Sequence, residues 1–239
     1  MVLEALAQGC AKNGAIQVLI TEVTHMKKGG LVCVAGINLA TGQMVRPVQG
    51  DGSNWGAAKW VSTSYFEVGR IVGLDPAAAG QPGFPHATED LRIATVHQAD
   101  TVSAANLYAA CVETAHADLD AMFDSCLIDD KYVVEGSKCR SLGCLIVDPA
   151  DLHAENSYGV KLVYDDADNK RHYIKVTELE TIAGGDEAAG AAALQERLDG
   201  AAGPVALRLG LARAWAGPAD QHYDPRRCYM QLNGVILPA

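Results

Sequence analysis

Residues 16–48 read IQVLITEVTHMKKGGLVCVAGINLATGQMVRPV, and the way apolar runs alternate with glycine-bearing turns in this stretch decides the fold class. Residues 16–24 are rich in β-branched and aliphatic side chains and predict a strand. Lys27, Lys28, Gly29 and Gly30 predict a turn. Residues 31–37 are almost wholly apolar and predict a second strand buried on both faces. Ala40-Thr41-Gly42-Gln43 supplies the next reversal, with Gly42 free to take positive φ, and residues 44–48 form a third strand. Three strands joined by short turns make a meander, the usual opening of a small barrel.

Outward from this meander, residues 49–64 are polar and glycine-bearing and contain Trp55 and Trp60. Residues 65–74 and 91–96 predict a fourth and a fifth strand, separated by the loop composition DPAAAGQPGFP at 75–85. Residues 103–125 predict one helix, capped by Ser103, with Leu107, Ala110, Cys111, Leu119, Met122 and Phe123 at roughly helical spacing. Its expected place is over the seam between two halves. Strands are predicted again at 144–147, 160–164, 173–176, 205–211 and 229–237, with an alanine-rich helix at 187–198. A helix between the third and fourth of five strands is the element order of an OB barrel. The halves repeat this order without a residue-level repeat. The expected fold is therefore mainly β, two tandem OB-like barrels over residues 1–100 and 129–239, joined by a helix within 101–128.

Composition narrows the function. The 239 residues carry 29 acidic against 19 basic side chains, a formal net charge of −10, which opposes non-specific binding of nucleic acid and adsorption to anionic membranes. A local basic groove on such a chain still suffices for a strand. The seven cysteines are odd in number and irregularly spaced, and MVLEALAQGCAKNG has no basic region followed by an apolar run. Reduced thiols and a cytoplasmic location are expected, with no membrane span. No phosphate-cradling, dinucleotide, zinc-protease or serine-hydrolase motif occurs, and no cofactor is expected.

Four constellations bear chemistry. Arg46 ends a strand before Pro47, a rim position that suits a phosphate or carboxylate ligand; the competing reading is an ion pair with an Asp or Glu of its own domain. Pro85-His86-Ala87-Thr88-Glu89-Asp90 sets an imidazole and two carboxylates at a strand entrance, for acid–base work, a metal, or simply a braced turn. Cys139 and Cys144 have a spacing that half of a structural zinc site tolerates, but no second pair accompanies them, and Cys144 also suits a core. Lys138, Arg140, Arg208, Arg213, Arg226 and Arg227 are six of the twelve lysines and arginines after residue 128, with Trp215, Tyr223 and Tyr229 near enough in sequence to stack bases; solvated arginines and core aromatics are the alternative.

The stretch KKGGLVCVAGINLATGQMVRPV resembles the opening of prokaryotic proteins described as dual OB-containing domains, through Lys28, Gly29, Gly30, Cys33, Val34, Ala35, Gly36, Gly42, Arg46, Pro47 and Val48. PHATED and CRSLGCLIVDP look like further landmarks of such proteins. The resemblance implies two tandem barrels and a role in handling nucleic acid or in prokaryotic defence; it supplies no catalytic residues. Three functions follow as expectations. The first is a module for single-stranded nucleic acid or a nucleotide, using Arg46, Arg140, Arg208 and Arg213 for phosphates with Trp55 or Trp60 as platforms. The second is an enzyme using His86, Glu89 and Asp90. The third is a scaffold that binds another protein through a sheet edge.

Overall fold

The computed structural model describes residues 1–26, 30–77, 83–182 and 184–239. The turn expected at Lys27–Gly29 and part of the 75–85 loop lie outside the described residues. A short helix, α1 (Val2–Gly9), precedes strands β1 (Ile16–His25), β2 (Leu31–Asn38) and β3 (Met44–Gln49). Next come β4 (Trp55–Gly56), α2 (Ala57–Trp60), β5 (Arg70–Pro76) and β6 (Asp90–Thr101). β1 pairs with both β2 and β5, β5 with β6, β6 with β3 in parallel, and β3 with β2. The five long strands thus close on themselves in the order 1-2-3-5-4-1, the circuit of an OB barrel. The fifth strand begins where the sequence suggested but runs on to Thr101. The fourth starts at Arg70, five residues later than its β-rich composition implied.

The second half repeats the circuit with one alteration. Its elements are β7 (Tyr132–Val134), β8 (Leu142–Val147), β9 (Leu152–Asn156), β10 (Val160–Asp165), β11 (Arg171–Val176), α5 (Leu179–Ile182), α6 (Glu187–Asp199), β12 (Val205–Leu211) and β13 (Arg227–Ile236). The pairing path is β8-β12-β13-β11-β10-β9, with β11 and β13 parallel. β8 and β9 are two pieces of one first strand, separated by the 3-10 turn Pro149–Asp151; Asp148 caps that turn through Ala150 N–H at 2.9 Å. Pro149 cannot donate to a ladder, so the strand breaks there. The circuit is completed through the covalent chain, with α6 between the third and fourth strands. Asp186 starts α6 by accepting from Ala188 and Ala189 N–H, both at 3.0 Å.

The single helix expected over residues 103–125 is two. Ser103 caps α3 (Ala104–Glu113) by accepting from Asn106 N–H, but the helix stops at Thr114, whose hydroxyl bonds back to Ala110 O at 3.0 Å. His116 then donates its N–H to Cys144 O at 2.8 Å, and Asp118 caps a new turn, α4 (Leu119–Met122). The apolar periodicity spans both pieces although they face different interiors: Leu107, Ala110 and Cys111 pack between the barrels, and Leu119, Met122 and Phe123 pack inside the second.

Three apolar clusters fill the molecule. Val18, Ile20, Val32, Val34, Trp55 and Phe66 belong to the interior of the first barrel, and Leu145, Leu162, Ile174, Leu194, Leu207 and Leu232 to that of the second. The third lies between the barrels, where Leu19, Ile37 and Ile71 from the outer face of the first meet Cys144, Ala206 and Ile236 of the second under Leu107 and Cys111 of α3. Hence β1 and β2 are buried on both faces, which explains their continuous apolar runs. No helix among the described residues is long and apolar enough to cross a membrane.

Closure of the first barrel depends on a bulge at Thr21, where the β1–β2 register shifts between Ile20 and Glu22 opposite Gly36 and Ala35. A Cβ on Gly36 would stand 2.2 Å from Leu19 O, whereas one on Gly56 would meet nothing within 4 Å. Gly36→Ala is therefore expected to lower unfolding free energy by about 3 kcal/mol, the upper part of the overpacking range. Gly56→Ala should stay within about 0.5 kcal/mol. Urea titration of both variants checks the contrast, and equal stabilities would show that β1 and β2 are not held this closely.

Candidate functional site

The three sequence landmarks converge on the seam between the barrels. The parallel pairing of β3 with β6 sets Arg46 against Asp90. The Arg46 guanidinium, 3% exposed as a residue, donates from Nη1 to Asp90 Oδ1 at 2.8 Å and lies 3.1 Å from His86 Nδ1; its Nη2 donates to Ser141 Oγ at 3.2 Å. Ser141 belongs to the CRSLGC segment of the second half. Its hydroxyl donates to Glu89 Oε2 at 2.7 Å and its N–H to Glu89 Oε1 at 2.9 Å. Thr88 reaches Cys139 O at 3.3 Å, and Arg213 Nη2, from the loop after β12, binds Asp90 Oδ2 at 2.7 Å. Asp90 thereby serves two arginines, one from each barrel.

Electrostatics follow from this burial. Desolvation, then the Arg46 and Arg213 charges, push the His86 imidazole down to about 3, so the ring is neutral. Arginine only donates, so His86 Nδ1 accepts and its proton sits on Nε2. Burial pushes the Glu89 carboxyl up, against the Ser141 hydrogen bonds and the Arg46 charge. A second buried charge pair crosses the seam deeper in: Arg208 Nε of β12 lies 3.8 Å from Glu22 Oε2 of β1, both side chains at most 1% exposed. Arg208 Nη2 also touches Met44 Sδ at 2.7 Å.

Two cavities flank these links. One, of about 680 Å³, is lined by Glu89, Glu113, His116, Arg140 and Cys144 and edged by α1, whose Val2 and Leu3 N–H groups donate to Glu113. Its polar groups are largely committed to one another. Arg140 binds Asp124, with Nη2 2.5 Å from Oδ1, as well as Ala121 O and His116 Nδ1. The other cavity, of about 270 Å³, is lined among others by Glu22, Cys33, Arg46, Lys175 and Arg213.

The remaining sequence candidates fall in different places. Trp55 is buried in the first barrel, donating to Pro47 O at 2.7 Å and packing edge-on against Trp60 and Phe66. Cys139 is in the interior of the second barrel beside Cys126, and Cys144 is in the layer between barrels beside Cys111. A hydrogen bond from Cys111, together with the Arg208 charge, draws the Cys144 thiol down to about 7 despite burial. Among the described residues no group of three His, Cys, Asp or Glu side chains is placed to hold a metal.

Arg227, Tyr223, Tyr229 and Trp215 do come together, around the loop between the fourth and fifth strands of the second barrel. The Arg227 guanidinium carbon lies 3.7 Å from the Tyr223 ring centroid and 4.5 Å from that of Tyr132. Trp215 packs against Tyr223 and Tyr229 at 5.8 and 6.0 Å and is 48% exposed. Among the described residues no carboxylate pairs with Arg227. Sequence reading missed Tyr132, which β7 brings beside β13, because a three-residue strand leaves almost no periodic signal. It also missed Glu22 and Ser141. The signal for Glu22 was available: a lone carboxylate inside a run otherwise suited to burial on both faces.

The His86 environment has a measurable sign. Its folded pKa is depressed, so its contribution to stability is full above about pH 6.5 and is lost as pH falls toward 3; Glu89, raised above the ordinary carboxylate value, acts in the opposite sense. Between pH 7 and pH 5 the wild type is expected to lose about 2 kcal/mol more than His86→Gln, in which Glu89 is unchanged. Urea unfolding at the two pH values measures this. Parallel losses would mean that the imidazole is not held neutral in the seam.

A family model described as "Dual OB-containing domain" matches residues 16–235, nearly the whole chain. No curated protein and no solved structure matches. The doubled 1-2-3-5-4-1 circuit, the seam that joins its two halves and this match agree: the chain belongs to the dual OB-containing domain family.

Proposed function

We propose that the protein binds single-stranded nucleic acid through the second barrel, with the Trp215–Tyr223–Tyr229–Tyr132 cluster as a stacking platform and Arg227 at its centre. The observation that carries this is the stacked, carboxylate-free Arg227 on a solvent-facing aromatic cluster. OB barrels engage oligonucleotides through the loop between strands four and five and the outer face of strands two and three. The loop holding Trp215 and Tyr223 is the former. On the latter, β10–β11 presents Tyr173, 56% exposed, with Lys161 Nζ 5.9 Å above its ring and Lys175 on the same face. Rings stack on any base, and cations between them track the backbone.

The arginines first considered contribute differently. Arg46 is bonded within the seam and Arg208 is buried there beside Glu22, so neither guanidinium is available to a strand. Arg213 is half-exposed and extends toward solvent from Asp90. With so few free cations on a chain of net charge −10, affinity rests on stacking more than on counterion release.

Two outcomes follow. Trp215→Ala and Tyr223→Ala should each weaken binding of a 12-nucleotide single strand by about 5- to 150-fold, the equivalent of one lost stacked base; Trp60→Ala should not. The slope of log affinity against log salt should be shallow, about −2 or less, for the three or so phosphates these cations can reach. Fluorescence anisotropy from 50 to 300 mM salt reads both. Undetectable binding, or unchanged binding in both aromatic variants, overturns the proposal.

A further inference from the structure

The smaller inter-barrel cavity lies where the outer face of the second barrel runs into the first. Tyr173 and Lys175 sit on one face of β11, two residues apart, and the parallel register sets Lys175 beside Gln231 of β13, two residues on from Tyr229. Lys175 and Gln231 also line the cavity, so the ring-bearing face leads to it. At that point the barrels are joined backbone to backbone. His25, at the end of β1, donates its N–H to Thr177 O at 2.9 Å, and Thr24 bridges to Glu178. A polynucleotide laid along the face meets the first barrel here.

The walls of the cavity carry an excess of positive charge. Arg46 and Arg213 share the single carboxylate Asp90. Glu22 also lines the cavity, but Arg208 stands 3.8 Å from it, so that pair adds no net negative charge. Among the described residues no carboxylate pairs with Lys175, which is exposed. Arg46 is buried and contributes only its field. Arg213 differs: 47% of its side chain is exposed, Nη2 binds Asp90, and among the described residues its other N–H groups meet no protein acceptor. At about 270 Å³ the space is just under the roughly 300–1,000 Å³ of ordinary small-molecule sites and suits a compact anion.

We propose, building on the oligonucleotide reading above, that this cavity captures the terminal phosphomonoester of a single strand, with Arg213 and Lys175 as its donors. A terminal monoester carries about −1.5 to −2 charges and three free oxygens. An internal diester carries a single charge and two free oxygens. The planar guanidinium of Arg213 matches two phosphate oxygens at once, and the Lys175 ammonium meets the added charge. The cavity thus reads the end of the polymer, while the aromatic platform holds its bases.

The test is fluorescence anisotropy at one salt concentration, with a single strand of one sequence and an internal label, ending in hydroxyls, in a 5′-phosphate or in a 3′-phosphate. One of the two phosphorylated strands should bind about tenfold tighter than the hydroxyl-ended strand, and which one it is gives the direction in which the strand lies. Lys175→Gln and Arg213→Gln should each cut that ratio to about threefold or less. Should Arg213→Gln not fold for want of its bond to Asp90, Lys175→Gln decides, since that side chain is exposed. Trp215→Ala should weaken both strands by the same factor and leave the ratio unchanged. If the hydroxyl-ended strand binds and phosphate at neither end improves it, or at both ends improves it equally, this inference fails and the stacking platform stands. A ratio unchanged in Lys175→Gln also overturns it. Absence of binding by all three strands overturns it together with the proposed function.

Discussion

One carboxylate ties the two barrels together. Asp90 accepts from Arg46 of its own barrel and from Arg213 of the other, while Glu89 next to it holds Ser141 by both backbone and hydroxyl. Removing one member of such a buried set leaves an uncompensated charge, costing about 3–5 kcal/mol, although the intact set adds little net stability over an apolar replacement. Its effect is geometric. Directional bonds fix the relative position of the barrels, which apolar contact alone specifies poorly. The walls of both cavities, and the root of the loop that bears Trp215, inherit that position.

Docking the barrels removes one side of each from solvent. Leu19, Ile37 and Ile71 point outward from the first barrel and would form an exposed apolar stripe if it stood alone; Ala206 and Ile236 of the second cover them. The exposed rings and cations of the proposed recognition surface lie on the second barrel, along β10–β11 and around the 212–226 loop. This distribution reconciles an acidic chain with a local cluster of cations and rings.

Much of the architecture was legible in the sequence because turns and apolar runs are local signals. Gly42 and the β-branched run at 16–24 mark strands whatever else the chain does. The element boundaries that failed were set by distant partners: α3 ends at Thr114 because His116 is taken up by Cys144 of another strand, and β9 exists only because β10 lies beside it. The candidate site was legible in composition and not in arrangement. The three landmark segments were visible separately, but nothing local shows that Arg46, Glu89 and Ser141, up to 95 residues apart, share hydrogen bonds. Nor does sequence alone distinguish the packed Trp55 from the exposed Trp215.

The interruption at Pro149 has a consequence for how this chain can be altered. Among the described residues the strand partner of β8 is β12 and that of β9 is β10, so neither ladder sets the register of the other across the 3-10 turn. Extra residues spliced between Asp148 and Leu152 would slide no strand out of step, and new ends opened there would leave every rung in place. A reporter domain or a permuted terminus has a natural point of entry at that spot, on a barrel that elsewhere offers only continuous staves.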